Sequence, residues 1–222
     1  WYIVQAIVNN VVPLLFLSFQ STEDIPLAKS TWLWTMNFGI QLIVDLFSAK
    51  FVDRIGYRVS ILAAHICASA GLIFLTILPD LLSDSFIGIL ISVMIYAVGG
   101  GLIGVLISPI MESCPTDNKE QAMSLLHSFY CWGHMGVVLI STIFFKLAGI
   151  SNWKLLALIW AIVPILNTLV FARTPIAPII EEGETGLTMK QLFSMQIFWI
   201  LFLMMLRAGA SQQAVSQWAS PF

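Results

Sequence analysis

Long apolar runs alternate with short polar stretches along the whole chain. Seven of these runs are long and apolar enough, or nearly so, to cross a bilayer, which takes about 20 residues in a helix. Most of the polar connections are short, so consecutive helices should be antiparallel neighbours. The pattern therefore predicts an all-α membrane protein. The predicted spans cover roughly residues 1–20, 31–52, 57–79, 85–112, 120–147, 152–172 and 191–217.

The longest polar connection marks a predicted domain boundary. It covers residues 173–190 and contains proline and glycine breaks and three glutamates. We predict an N-terminal six-helix transmembrane bundle over residues 1–172, a cytoplasmic inter-bundle linker over 173–190, and the start of a C-terminal bundle over 191–222. Because the sequence begins at Trp1 and ends within an apolar helix, we expect it to be a piece of a longer membrane protein.

Composition agrees with a lipid environment and excludes several function classes. The chain is 59% hydrophobic and 10% charged, whereas soluble domains carry about 25% charged residues. A net charge of −2 provides no basic surface for nucleic acid. The three cysteines lack metal spacing and are too few for a disulfide framework. No nucleophile–base pair or metal cluster stands out, so we predict no enzyme activity, no cofactor and no metal.

The distribution of Lys and Arg favours a multi-pass protein of the cell membrane with a cytoplasmic N-terminus, because positively charged loops stay on the cytoplasmic side. With that orientation six basic residues lie in inner connections or at the adjoining span ends and three in outer ones, and only Arg207 lies well within a span. The inner residues are Lys50, Arg54, Arg58, Lys119, Arg173 and Lys190, and the outer ones are Lys29, Lys146 and Lys154.

The charged turn, defined as residues 48–60 with the sequence SAKFVDRIGYRVS, joins the second and third predicted spans. Gly56 allows a sharp bend, since glycine tolerates positive φ. Asp53 can accept hydrogen bonds from the N-terminus of a neighbouring helix. Arg54 and Arg58 can pair with carboxylates or lipid phosphates. On chemistry alone, an ordinary positive loop on the cytoplasmic side explains these residues equally well.

The turn resembles the signature loop of the major facilitator superfamily, Gly-x-x-x-Asp-Arg-x-Gly-Arg-Arg/Lys. Ala49 replaces the first glycine, and Tyr57 replaces the first residue of the final basic pair. The resemblance covers the whole chain and implies half of a twelve-helix transporter. It also implies a gating motif that latches the outward-open state by contacting the second bundle. The matching positions are Asp53, Arg54, Gly56 and Arg58.

Polar side chains within spans usually face the bundle interior or a water-filled path. On the second span Asn37, Gln41 and Asp45 recur every four residues. Asp45 is the candidate ion-coupling residue, or else a structural partner near the cytoplasmic mouth. In the fourth span Gly100, Gly104 and Ser108 also recur every four residues, and this spacing permits close approach of a neighbouring helix.

Three further spans carry candidate substrate-binding residues. The first carries amides that bind either sugar hydroxyls or another helix. The fifth carries two histidines about 10 Å apart along the axis, which is too far for one metal ion, and they line the cavity or are structural. Arg207 on the seventh span needs a carboxylate partner from the missing bundle or an anionic substrate. The resemblance to the superfamily implies that the seventh helix lines the central cavity. The candidates are Gln5, Asn9, Asn10, His127, Tyr130, His134, Arg207, Gln213 and Gln217.

Within the superfamily, three stretches are similar to the fucose–proton symporter branch. They are the Asn9–Asn10 pair, the glycine-rich fourth span ending in Ser108–Pro109, and the sequence LLHSFYCWG in the fifth span. Pro13 and Gly104 stand where that branch has its coupling aspartate and glutamate. The departures argue against fucose itself and leave another sugar or polar solute.

We therefore predict a secondary active transporter that moves a small polar solute, with a sugar as first choice, by alternating access about a midplane site. Its partners would be the solute, a coupling cation (H⁺ or Na⁺), the lipid bilayer and the missing C-terminal bundle. The alternative is an efflux transporter for amphipathic compounds, with a cavity lined by Phe, Met and Leu. A non-transporting sensor or scaffold would have no continuous polar path.

Overall fold

The computed structural model describes residues 2–174, 176 and 189–218, except for the side chains of residues 49, 50, 53, 189 and 212–218. All regular structure in this part of the chain is helical, and a 3₁₀ turn over Ile150–Asn152 precedes α7. The helices are α1 (Tyr2–Leu14), α2 (Phe16–Thr22), α3 (Leu27–Ile55), α4 (Tyr57–Leu81), α5 (Ser85–Glu112), α6 (Lys119–Ala148), α7 (Trp153–Arg173), α8 (Met189–Ser194) and α9 (Gln196–Trp218).

The chain divides into two units, residues 1–179 and 180–222. The first unit contains α1 to α7, and the second contains α8 and α9. Most of the predicted linker over residues 173–190 lies outside the described residues, so its boundaries stay predictions.

The first predicted span is interrupted, because α1 and α2 meet at a bend of 42°. Pro13 has no N–H to donate to the carbonyl group of Asn9, four residues earlier. The N–H of Leu15 is shared between the carbonyl oxygens of Val11 and Val12, at 3.2 and 3.0 Å. These two changes end the regular hydrogen-bond ladder and bend the span.

By length and apolar composition, four helices in the described part can cross a bilayer, and the α1–α2 pair makes a fifth. These four are α4, α5, α6 and α7 together with its 3₁₀ turn. The predicted spans in α3 and α9 do not meet this criterion of length and composition. α3 is long enough at 29 residues, but its polar side chains keep it from qualifying on composition. In α9 the apolar part is shorter, at Gln196–Ser211.

Close contacts at glycines hold the centre of the first unit together. α4 and α5 run antiparallel, and a Cβ atom on Gly71 would lie 2.5 Å from the backbone nitrogen of Tyr96. A Cβ atom on Gly99 would lie 2.5 Å from the carbonyl oxygen of Ala64. Any side chain at either position would force the two helices apart. α4 also packs against α7, α3 packs against α5, and α1 packs against α6 and α5.

Gly100 and Gly101 bring α1 and α3 close to α5. A Cβ atom on Gly100 would meet the Val8 side chain at 2.7 Å and the Gln41 side chain at 3.2 Å, and one on Gly101 would meet Val44 at 2.8 Å. By contrast, Gly104 has no described neighbour within 4 Å of its Cβ position. The packing of the first unit therefore uses adjacent glycines, and the predicted four-residue repeat is wrong for Gly104.

Contacts at the two ends of the first unit agree with helices that alternate in direction. At one end Arg58 donates a hydrogen bond to the carbonyl oxygen of Ala172. At the opposite end the Trp153 Nε1 atom donates to the Thr22 hydroxyl at 3.0 Å, and Lys154 pairs with Asp80. The start of α4 therefore lies beside the end of α7, and the end of α4 beside the start of α7.

Candidate functional site

Four side-chain amides on α1 and α3 form a connected group, the amide cluster, consisting of Gln5, Asn9, Asn37 and Gln41. Gln5 Nε2 donates to Gln41 Oε1 at 2.9 Å. Gln41 Nε2 donates to Asn9 Oδ1 and to Asn37 Oδ1, both at 3.0 Å. Gln41 thus uses both of its N–H groups and its carbonyl oxygen.

The two α3 members of the amide cluster are buried, whereas Asn9 on α1 is partly accessible. Asn37 is 2% and Gln41 7% exposed, whereas Asn9 is only half-buried. The Oε1 atom of Gln5 is buried and has no hydrogen-bond partner among the described atoms. A buried carbonyl oxygen without a partner is costly, so this atom is an acceptor that a water molecule or a ligand hydroxyl can satisfy.

Rings on α1 and α6 form a second group, the aromatic face, consisting of Tyr2, His127, Tyr130 and His134. The ring centroids of Tyr2 and His127 lie 5.6 Å apart, those of Tyr2 and Tyr130 5.8 Å, and those of Tyr130 and His134 6.3 Å. Tyr2 Oη lies 3.4 Å from His127 Nδ1. His127 is exposed, and Tyr2, Tyr130 and His134 are half-buried.

One hydrogen bond links the amide cluster to the aromatic face, from Asn9 Nδ2 to Tyr130 Oη at 3.3 Å. Gly133 permits this contact, since a Cβ atom there would lie 3.1 Å from the Cα atom of Ile3. α6 can therefore approach α1 closely at this level. The two groups form one polar path from the α1–α3 contact to the surface of α6.

The structure does not bring every predicted site residue to this path. Asn10 donates from Nδ2 to the carbonyl oxygen of Ala6 on its own helix, at 2.7 Å. Asp45 is exposed one helical turn beyond Gln41 and belongs to neither group. Arg207 is exposed on α9 in the second unit, which is described separately. Gln213 and Gln217 lie outside the residues whose side chains are described.

Three residues of the path were not among the predicted site residues: Tyr2, Asn37 and Gln41. Asn37 and Gln41 were predicted to share a face, but their partners on α1 were not. Tyr2 precedes Gln5 by three residues and Asn9 by seven, a spacing that keeps all three on one side of a helix. That spacing is the signal from which Tyr2 could have been found.

The charged turn contains a backbone conformation that favours glycine. Gly56 has φ +91° and separates α3 from α4, and its N–H bonds to the carbonyl oxygen of Val52 at 2.8 Å. Arg58 donates to Ala172 near the end of α7, where carbonyl groups lack helical partners. Arg54 is exposed, and the Asp53 side chain lies outside the described residues.

The family follows from the whole chain and not from this turn alone. The model of the Major Facilitator Superfamily matches residues 2–222. The chain belongs to the major facilitator superfamily. It is therefore a multi-pass membrane protein of a transporter family, and the fold of its described residues is all-helical. Neither the curated proteins nor the solved structures gave a significant match. The narrower similarity to the fucose–proton symporter branch stays a prediction.

An apolar cavity of about 340 Å³ lies next to the polar path. It lies between α1, the end of α5 and the start of α6, and Tyr2 belongs to both the cavity wall and the aromatic face. Its walls are Tyr2, Ile3, Met111, Ala122, Leu125, Leu126 and Phe129.

Proposed function

We propose that the protein moves a small polar solute, with a sugar as first choice, by alternating access in symport with H⁺ or Na⁺. The observation that supports this most is the bond between Asn9 and Tyr130, which joins buried amides to accessible rings. Amides provide both donors and acceptors for hydroxyl groups. Aromatic walls with a few placed polar groups are typical of small-molecule sites.

In this proposal the solute first contacts His127, Tyr130 and His134 on α6. Asn9 offers its amide from α1, and Gln5 contributes its unpartnered Oε1 atom as an acceptor. The Nδ2 atom of Asn10 already donates to Ala6, so its side-chain oxygen is the group available to the solute. Arg207, Gln213 and Gln217 on the last helix stay substrate-binding residues proposed from the sequence alone, independently of this arrangement.

Asp45 is the proposed coupling residue. This residue is exposed and lies one turn from Gln41 along α3, so a bound cation there would sit next to the amide cluster. Binding of H⁺ or Na⁺ at this carboxylate would remove a net negative charge beside the solute path. The coupling is tested by measuring uptake with and without each cation gradient in Asp45→Asn protein.

The gating motif of Asp53, Arg54, Gly56 and Arg58 is proposed to latch the cytoplasmic side, with the N-terminus cytoplasmic. The carboxylate of Asp53 would accept hydrogen bonds from the second bundle, because a helix N-terminus favours an anion. Asp53→Asn should then cripple transport without abolishing membrane insertion. Unchanged transport rates in that variant would remove the latch assignment.

The proposal is tested by uptake into proteoliposomes with a panel of sugars and an imposed proton or sodium gradient. We expect gradient-dependent accumulation of at least one sugar, and we expect Asn9→Ala to reduce it. Asn167→Ala is the matched control, because Asn167 is a half-buried amide on α7 outside the path. Failure with every sugar, or equal losses in both variants, would reject the sugar-binding site.

A second candidate function is efflux of amphipathic compounds, and the apolar cavity beside Tyr2 favours it. Three of the four amides in the cluster are also buried and bonded to one another. Export of a hydrophobic dye from proteoliposomes, together with no uptake of any sugar, would establish this function. Leu125→Asp, in the wall of that cavity, should then abolish dye export.

A further inference from the structure

The side-chain amide of Asn9 is held in one orientation between two helices. Its Oδ1 atom accepts a hydrogen bond from Gln41 Nε2 on α3 at 3.0 Å, and its Nδ2 atom donates to Tyr130 Oη on α6 at 3.3 Å. An amide has an acceptor end and a donor end. Because Gln41 occupies the acceptor end, the donor end of Asn9 points towards α6 and its accessible rings.

The burial of Gln41 favours this orientation over the reversed one. The two N–H groups of Gln41 meet the Oδ1 atoms of Asn9 and Asn37. Its Oε1 atom accepts from Gln5. If the Gln41 amide were reversed, its two N–H groups would have Gln5 alone as an acceptor, and one of them would stay unpartnered in a residue that is 7% exposed. Buried N–H groups without an acceptor are rarer in proteins than carbonyl oxygens without a partner, so the observed orientation is the more stable one.

Tyr130 presents a second donor on the same side of the path. Its oxygen accepts the bond from Asn9, so its own O–H group is free to donate elsewhere. The Nδ2 atom of Asn9 has a second N–H group, which none of the described hydrogen bonds of Asn9 uses. Two donor atoms therefore lie 3.3 Å apart, on residues that are both half-buried. Donors this close can each bond to a different oxygen of one carboxylate group, as the two donors of an arginine fork do.

The charges of the path agree with an anionic solute. Neither the amide cluster nor the aromatic face, as defined above, contains an acidic residue. His127 and His134 on the aromatic face are either neutral or positively charged. The path therefore offers hydrogen-bond donors near its accessible side and no negative charge of its own.

We propose that Gln41 is a positioning residue of the solute site, and that it fixes Asn9 so that the path selects a solute with a carboxylate group, in particular a sugar acid. This inference rests on the proposed function and names its substrate class. The carboxylate accepts from Asn9 and Tyr130, and a ring hydroxyl donates to the unpartnered Oε1 atom of Gln5. A cation bound at Asp45, one turn beyond Gln41 on α3, reduces the repulsion between that residue and the anion.

The substrate class is tested by uptake of D-glucuronate and D-glucose by the full-length protein in proteoliposomes. The two sugars differ at one carbon atom, where the first has a carboxylate group and the second a hydroxymethyl group. We expect an apparent affinity about tenfold higher for glucuronate, because hydrogen bonds to an ionised group are roughly twice as strong as neutral ones. Equal affinities, or a preference for glucose, would overturn the substrate class.

The role of Gln41 is tested by the ratio of these two affinities in Gln41→Leu. The ratio should fall to about threefold or less, since a freed Asn9 amide can turn its oxygen towards the solute. A merely structural defect would lower the uptake of both sugars equally. Gln121→Leu is the control and should keep the ratio, because Gln121 is exposed at the start of α6. If Gln41→Leu does not fold, Tyr130→Phe removes one donor and should weaken glucuronate more than glucose. An unchanged ratio in both variants would overturn the inference.

A double-mutant cycle on unfolding midpoints tests the positioning without any solute. The described hydrogen bonds connect Gln41 to Tyr130 through Asn9. The effect of Tyr130→Phe should therefore be about half as large, or smaller, in the Gln41→Leu background. Additive effects would overturn the positioning role, whether or not a sugar is transported. Non-additive effects without uptake of any sugar would support the role of Gln41 and reject the proposed function.

Discussion

The Nε2 atom of Gln41 lies 3.0 Å from the Oδ1 atom of Asn9, and this bond joins α3 to the helix that reaches the aromatic face. The same Nε2 atom donates to Asn37, and the Gln41 carbonyl oxygen accepts from Gln5. Every hydrogen bond within the amide cluster therefore passes through one side chain. Gln41 consequently determines whether the other three amides keep their partners.

Gln41→Leu should destabilise the protein, because it leaves Gln5, Asn9 and Asn37 each short of a hydrogen bond in a buried place. Leaving a buried polar group without a partner, or losing a hydrogen bond between two membrane helices, lowers the free energy of unfolding by about 1–2 kcal/mol. The measurement is the midpoint of thermal unfolding in detergent. Gln121→Leu is the control, since Gln121 is exposed at the start of α6. Equal midpoints for the two variants would show that the cluster contributes no stability.

Gly56→Ala tests the backbone of the charged turn apart from its charges. Glycine adopts φ +91° and ψ 146° without strain, whereas a residue with a Cβ atom does not. Alanine should therefore lower the free energy of unfolding by about 1–3 kcal/mol. No described atom lies within 4 Å of the added Cβ atom, so any loss reflects backbone strain. Gly39→Ala is the matched control, because its Cβ position is also open but lies within α3. It should be neutral or stabilising by up to about 1 kcal/mol, and a loss there equal to that of Gly56→Ala would contradict the strain argument.

Much of the fold, and part of the site, could be predicted from the sequence. Residues three and four apart share a helix face, and this spacing alone places Gln5 with Asn9 on α1 and Asn37 with Gln41 on α3. The family was predicted from Asp53, Arg54, Gly56 and Arg58 together with their place between two apolar runs, and the match over residues 2–222 confirms it. These features are local, since they depend on helical spacing and on short connections.

Contacts between helices could not be predicted in the same way. The Gln41–Asn9 bond depends on how far α3 slides along α1, and the missing side chain at Gly100 helps to set that register. The bend after Pro13 divides the first span because it removes a backbone donor, an effect that apolar length alone does not show. Gly104 carries the same spacing signal as Gly100, yet only Gly100 meets a neighbour within the first unit.

The contacts of Trp153 should contribute more stability than the ion pair next to it. Trp153 is 1% exposed, its ring packs edge-on against Phe19 at 5.1 Å, and its Nε1 atom donates to Thr22. Trp153→Ala should therefore cost about 3–5 kcal/mol. Asp80→Asn breaks the pair with Lys154, but the Asp80 side chain is 66% exposed, so the loss should be below about 1 kcal/mol. Unfolding midpoints check the order, and a larger loss in Asp80→Asn would contradict it.

Tyr96→Phe should leave stability unchanged or raise it. Tyr96 is fully buried in α5, and its hydroxyl group has no hydrogen-bond partner among the described atoms. Removing an unpartnered buried hydroxyl removes its desolvation cost, which is about 1–3 kcal/mol. Tyr130→Phe is the comparison, because its hydroxyl accepts from Asn9. A lower unfolding midpoint for Tyr96→Phe than for Tyr130→Phe would indicate a partner such as a bound water.

His127→Ala should weaken binding of the transported solute while leaving the unfolding midpoint almost unchanged. The histidine is exposed, and its contacts with Tyr2 are a long polar one of 3.4 Å and a tilted ring pair with centroids 5.6 Å apart, so little packing is lost with it. Loss of one neutral hydrogen bond to the solute predicts an affinity about three- to tenfold weaker. Solute binding to purified protein measures this change, with the exposed neighbour Ser128→Ala as the control. An unaltered affinity together with a lowered midpoint would make His127 structural, and the solute path would then begin at Tyr130.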